Sequence, residues 1–336
     1  MSKQPLYIHI GAPKTGTTFL QKVLTENRNL LLERGILYPG AHLRGYGHHD
    51  IAFLLTGGYP DWAIPQPRLL EELIAALKVE AAAHAGPVLL SSENFYLYPE
   101  PEKLFALLSD AGLFQNRRPV IIVYLRRQDD AHESWYNQTV KAQGYTHTAQ
   151  ESVETFFGLW DYRAELERWA NVFGQQNLLV RPYEKSQFVG GSLLSDFAKQ
   201  INLSLDGFVV SNAQVNTGLN RDVLEFQRLI NALPLDHPER RRFHRELIDL
   251  TARTDGSGLF DEAPVLNLAM RQAILERYAE GNAQVAERYL DNSQLFTEKP
   301  QEYTGATAPA GLTTEKLVRI IGWLILKNPP PSPTSK

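Results

Sequence analysis

Four apolar runs of strand length, 6–10 (LYIHI), 88–92 (VLLSS), 119–125 (PVIIVYL) and 177–183 (NLLVRPY), alternate with segments of helical periodicity. Runs that are apolar on both faces need cover on both faces. A parallel sheet with helices above and below supplies that cover and joins the strands through the helices. The sequence therefore predicts an α/β protein, a three-layer α/β/α sandwich around a central parallel sheet. Helices are expected over 17–35, closed by Gly35, and over 68–85, 101–112, 129–142 and about 151–174. Residues 36–67 read as irregular, with a short helix over 49–55. Beyond 190 the periodicity is almost entirely helical, over 191–201, 218–233, 238–252 and 264–291. No separate core is visible there, so 1–297 reads as one domain with a mainly helical C-terminal part. Residues 298–336 read as a linker, a short amphipathic segment (313–327) and a Pro-rich tail.

The junction after the first run carries the chemistry. IHIGAPKTGTTFLQ (8–21) sets Gly11 and Gly16 at the spacing of the ATP-binding loop GxxxxGK[ST], which makes the expected sandwich P-loop-type. But Thr17 stands where that loop has its lysine, and Lys14 lies inside the loop. A strand-to-helix loop exposes unpaired N–H groups at the positive end of a helix dipole, an anion site whatever its side chains. The glycines allow tight turning and close backbone approach. Thr17 and Thr18 add hydroxyl donors. From mid-loop, Lys14 reaches the bridging oxygen beyond a single 5′-phosphate rather than the end of a triphosphate. No acidic pair nearby suggests a metal. The competing reading is a helix-capping turn with an incidental lysine.

PKTGTT (13–18) resembles the 5′-phosphosulfate loop of sulfotransferases that use 3′-phosphoadenosine 5′-phosphosulfate (PAPS). Their loops carry lysine or arginine two residues before the second glycine, as Lys14 stands before Gly16. The resemblance implies PAPS as sulfuryl donor, no metal, and donor contacts from Pro13, Lys14, Thr15, Gly16, Thr17 and Thr18. It also implies a half-site for the 3′-phosphate: an arginine ending a central strand and a serine eight residues later. VIIVYLRRQDDAHESWYNQ supplies Arg126 and Ser134 at that spacing. The carboxyl end of a strand faces the ligand crevice of an open α/β sheet, and guanidinium suits a bidentate phosphate contact. Arg127 is the frame-shifted rival, within reach of Asp129 and Asp130. Gln128 stands where family patterns often have proline. The likeness runs over most of 5–297 and is strongest to bacterial carbohydrate-type sulfotransferases, with only the two motifs specific.

Sulfuryl transfer is an in-line displacement, served by positioning, charge stabilisation and a base for the acceptor hydroxyl. Lys14 is the candidate for charge on the leaving phosphate. YGHHDIAFLL (46–55) offers His49 and His48 as bases. A faint likeness to the His-Gly-His segment of heparan 2-O-type sulfotransferases puts His49 first. VLLSSENF (88–95) adds Ser91, Ser92 and Glu93 at a strand's carboxyl end, and Glu93 is a rival base or a brace for Lys14 or a histidine. The competing reading of the histidines is a loop pair that caps a helix or packs on Tyr46. A His-His-Asp metal cluster finds no further ligands at matching spacing. Trp135, Tyr136 and Tyr183 are candidates for an adenine slot. The basic run PERRRFHRE (238–246) suits an acidic acceptor or a solvated face.

These readings imply transfer to a hydroxyl of a saccharide or glycolipid. The alternatives are a P-loop nucleotide kinase or other phosphotransferase, and a non-catalytic nucleotide-binding protein. The net charge of -4 gives no overall field for nucleic acid. With no cysteine there is no disulfide, thiolate zinc site or cysteine nucleophile, which suits a cytoplasmic protein. No secretory core and no apolar run of ~18 residues is present. The segment 313–327, with Trp323, is read as packing back on the domain or as a peripheral membrane contact.

Overall fold

The computed structural model describes residues 3–40, 43–211, 218–234, 236–304 and 311–327. β1 (Gln4–Gly11), β2 (Val88–Ser91), β3 (Arg117–Leu125) and β4 (Leu178–Pro182) form one parallel sheet in the order β2–β1–β3–β4. Ile8 lies opposite Leu90 on one side and Ile121 on the other, and Val123 opposite Val180. Side chains alternate across the sheet. Tyr7, Leu89, Val120, Ile122 and Tyr124 pack on one face against Leu20, Val23 and Leu24 of α1 (Thr17–Glu26), with Leu194 and Phe197 of the helix Leu193–Gln200. Leu6, Ile8, Ile10, Leu90, Ile121 and Val123 are buried on the other face. The sequence reading of an α/β protein with a covered parallel sheet holds.

Two helices differ from their expected extents. The helix expected over 17–35 breaks at Asn27 into α1 and Arg28–Glu33. Asn27 Nδ2 donates to the carbonyls of Val23 and Val209, and its Oδ1 accepts from Val209 N, all at 2.8 Å. The side chain thus ties the break to the distant segment at Val209. The segment over 151–174 resolves into Ala149–Thr155, a 3₁₀ turn Phe157–Trp160 and Tyr162–Phe173, with Asp161 capping the last.

The chain forms two compact units that interleave in sequence. The first comprises 1–131, 158–212 and 275–299 and holds the whole sheet. The second comprises 132–157, 213–274 and 300–336. Within it, the helix Thr314–Lys327 packs on Arg221–Ile230 and His237–Thr254. Buried Lys316 pairs with Asp222 at 2.6 Å, and Trp323 Nε1 donates to Glu246 O at 3.2 Å. The amphipathic segment therefore lies on helices of its own unit. Residues 305–310 of the expected linker and the tail 328–336 lie outside the described residues.

Candidate functional site

All four strands point the same way, so their carboxyl ends gather at one edge of the first unit. The strand order reverses direction there between β1 and β3, the position at which open α/β sheets leave a ligand crevice. The loop 12–16 leaves β1 at this edge and enters α1. Ala12 N donates to Tyr124 O at 2.9 Å, which ties the loop to β3. The buried Thr15 hydroxyl donates to Ala12 O at 2.7 Å and so braces the loop from within.

Gly16 caps α1 at φ 76°, and no side chain caps the helix. The first amides of the helix thus face the edge without a side-chain acceptor, the arrangement that attracts an anion. A Cβ on Gly16 would stand 2.5 Å from Leu193 Cδ2, and one on Gly11 would stand 3.2 Å from Glu93 Cα. Lys14 also takes positive φ, 65°, a conformation that costs a non-glycine residue roughly 1 kcal/mol. Pro13 and Thr17 are buried, Lys14 is half-buried and Thr18 is exposed.

Arg126 follows the last residue of β3 and donates from Nη1 to Lys14 O at 3.1 Å. Its guanidinium carbon lies 5.8 Å from the centre of the Tyr183 ring, and Tyr162 donates its hydroxyl to Arg126 O. Arg127 turns away. Its Nε and Nη2 bind the two oxygens of buried Asp129 at 2.7 and 3.0 Å, and Asp130 lies 3.1 Å from Nη2. Buried Gln128 exchanges two side-chain hydrogen bonds with Asn282, at 2.6 and 3.0 Å. An amide pair thus occupies the position where proline was the family expectation. Ser134 lies further along the helix Gln128–Gln138 in the second unit, half-buried like Trp135, while Tyr136 is buried.

Beside Gly11, the segment after β2 gathers a polar network. Gln21 Nε2 on α1 donates to Glu93 Oε2 at 2.8 Å and to Ser91 Oγ at 3.3 Å. Ser91 Oγ lies 2.8 Å from Nδ1 of His9, whose pKa burial lowers to about 4. The His9 ring is therefore neutral, with Nε2 buried and unpartnered and the ring edge-on to Phe197 at 5.3 Å.

The two histidines of 46–55 part company. His48 is 1% exposed. Its Nε2 donates to Pro39 O at 3.1 Å, and its Nδ1 accepts from Ser91 N at 3.1 Å. Both ring nitrogens are thereby committed to the backbone. The His49 side chain is 15% exposed. Its Nδ1 lies 2.8 Å from Ser92 Oγ, 3.0 Å from Asn94 Nδ2 and 3.8 Å from Glu93 Oε2. Asp50, the acidic neighbour, is buried and pairs with Arg44 at 3.1 Å and Arg68 at 3.6 Å. Among the described residues, no group of three or more His, Cys, Asp or Glu has metal-binding geometry.

Gln21 and Asn94 belong to this network and were not singled out from sequence. The available signal was a polar side chain on the buried face of α1, for Gln21, and the first helical residue after Glu93, for Asn94.

Comparisons with known proteins are sparse. No family model matches the chain. A stretch of 183 residues is 27% identical to an uncharacterized protein of Archaeoglobus fulgidus, covering 54% of this chain and 49% of that protein. The match thus spans about half the length of that relative. Among solved structures, a sulfotransferase from Alicyclobacillus acidocaldarius aligns with a TM-score of 0.41 at 16% identity, over 81% of this chain and 96% of that one. Among the described residues, no helix is long and apolar enough to cross a membrane.

Proposed function

We propose that the protein is a PAPS-dependent sulfotransferase that moves a sulfuryl group to a hydroxyl of a saccharide or glycolipid in the cytoplasm. The observation that carries this reading is the bond from Arg126 to Lys14 O, 112 residues apart in the chain. It ties the Arg126 guanidinium to the loop that carries Lys14 at one sheet edge. The residues fit the donor's chemistry: uncapped helix amides, a loop cation, a threonine hydroxyl and a guanidinium lie at the loop 12–16.

PAPS supplies the activated sulfuryl group. In the proposed arrangement, Pro13 to Thr18 cradle its 5′-phosphosulfate. Lys14 stabilises the charge that builds on the departing phosphate. Arg126 holds the 3′-phosphate, with Ser134 as its second contact on sequence spacing. Tyr183, under the Arg126 guanidinium, is the proposed aromatic of the adenine slot.

His49 is the proposed base. For Nε2 to take the acceptor's proton, the ring proton must sit on Nδ1. Ser92 Oγ and the Glu93 carboxylate lie on that side to accept it, and the Asn94 amide, whose nitrogen lies 3.0 Å from Nδ1, must then turn its oxygen toward the ring. Glu93 orients the imidazole, and Gln21 holds Glu93 in place. His48, with both nitrogens engaged, serves as a brace between Pro39 and β2.

Calorimetric titration with 3′-phosphoadenosine 5′-phosphate, without Mg²⁺, tests the donor site. Micromolar binding that weakens ~10-fold or more in Arg126→Ala is the expected result. No binding, or tighter binding of ATP with Mg²⁺, removes the reading in favour of a phosphotransferase.

A further inference from the structure

We propose that the second unit carries an oxyanion-binding site formed by Lys141, Arg240 and His244. It stands on observations independent of the donor-site reading.

The helix Gln128–Gln138 continues directly into a π-helical turn, Thr139–Gln143, which carries Lys141. Such turns are rare and recur at functional positions, because widening the helix sacrifices hydrogen-bond geometry. The helix His237–Thr254 packs against this turn. Arg240 and His244 are four residues apart on that helix and so share a face. Gly144 closes the π-turn at φ 72°, and a Cβ there would stand 2.7 Å from an Arg240 terminal nitrogen. The guanidinium thus lies over the end of the turn. Lys141 is near enough to His244 that its charge joins burial in lowering the imidazole pKa to about 4.

These basic groups have no acidic partner among the described residues. Among the described residues, neither Lys141 nor Arg240 forms an ion pair or hydrogen bond. Arg240 Nε and His244 Nδ1 are buried with no partner. Three acidic side chains on the adjoining helices are engaged elsewhere. Glu225 pairs with Arg228 at 2.6 Å, Glu239 accepts from Asp236 N at 2.8 Å, and Asp249 pairs with Arg253 at 2.9 Å.

Unanswered buried donors and clustered cations are both costly. An oxyanion offsets both, accepting from the ammonium, the guanidinium and a protonated imidazole together. The simpler role for Arg240 is to neutralise the carbonyl end of the π-turn. That role leaves its Nε unpartnered and assigns nothing to Lys141 or His244. The ligand class is a sulfate, phosphate or carboxylate group, free or borne on an acidic saccharide.

The test follows the His244 imidazole by NMR in full-length protein carrying ¹⁵N-histidine. Sodium sulfate and N-acetylglucosamine 6-sulfate are the probes. A Lys14→Ala background removes any contribution from the loop of the first unit. Saturable binding should raise the His244 pKa by about one unit or more and leave that of His9 in place. Lys141→Gln should weaken the binding ~10-fold, as should Arg240→Gln. Saccharide binding ~10-fold tighter than sulfate would identify a sugar-borne anion, and equal affinities a free one. No saturable shift of His244 overturns the proposal, as does a shift unchanged in Lys141→Gln. That side chain is half-buried and bonded to nothing, so this arm remains decisive even if Arg240→Gln fails to fold.

Discussion

Two segments at the carboxyl edge of the sheet each present a pair of identical side chains, and each pair is split. After β3, Arg127 is consumed by Asp129 while Arg126 faces the loop. After the irregular region, His48 is consumed by backbone groups while the Nδ1 edge of His49 faces Ser92 and Glu93. The arginine pair is divided by a partner two residues away, within one helical turn. The histidine pair is divided by Ser91, 43 residues away on another strand. Position along the chain did not decide which member is engaged. The supply of buried partners did.

Substitution within each pair should separate chemistry from stability. The largest contrast is expected at the histidines. His49→Ala should lower kcat by about 10²–10⁴, measured with PAPS and a saccharide acceptor, with little change in melting temperature. His48→Ala should instead cost about 1–3 kcal/mol by denaturant unfolding, because Ser91 N loses its buried acceptor. Equal kinetic losses in both variants would erase the distinction.

At the arginines, Arg127→Ala leaves buried Asp129 without its bidentate partner. It should destabilise by about 3–5 kcal/mol while the folded fraction keeps its nucleotide affinity. Arg126→Ala should do the reverse, changing stability by under ~1 kcal/mol and affinity by tenfold or more.

Acid titration offers a third comparison, between the two units. Burial lowers the pKa of His9 in the first unit and His132 in the second to about 4, below the ordinary 6.5. Their neutral folded forms bind fewer protons than the unfolded chain. The associated stability is therefore complete above pH 6.5 and is lost as pH falls from 6.5 to about 4. Full protonation of each costs on the order of 3 kcal/mol. His9→Asn should flatten that slope by its share, and an unchanged slope would mean that His9 is charged in the fold.

The smallest expected effect is at the loop. Gly16→Ala meets positive φ and Leu193 Cδ2, and should destabilise by about 1–2 kcal/mol and weaken nucleotide binding. Wild-type stability in this variant would mean that the cradle is looser than its geometry implies.

Much of the first unit was legible in the chain. Strands buried on both faces announce themselves as continuous apolar runs, so the four strands and the helices between them could be placed. The loop was legible for a related reason. Glycine at Gly11 and Gly16 answers a backbone demand that is written locally. Arg126 could be singled out by its place at a strand end, though Arg127 remained a rival until the Asp129 pairing was seen. The Asn27 break, the Gln128–Asn282 pair and the network of Gln21 and Asn94 were not legible. Each depends on a hydrogen-bond partner that the fold brings from elsewhere, and no local pattern encodes such a partner.

The sequence by itself determined the parallel sheet, the glycine-bounded strand–loop–helix turn and the identity of the basic residues around it. It could do so because periodicity and glycine placement act over a few residues. Only the tertiary structure decided which arginine faces the loop, which histidine has both nitrogens engaged by the backbone, and that the helix of Arg240 and His244 packs on the turn of Lys141. Those outcomes depend on burial and on partners supplied by distant segments, and such partners are fixed only when the sheet and helices have packed.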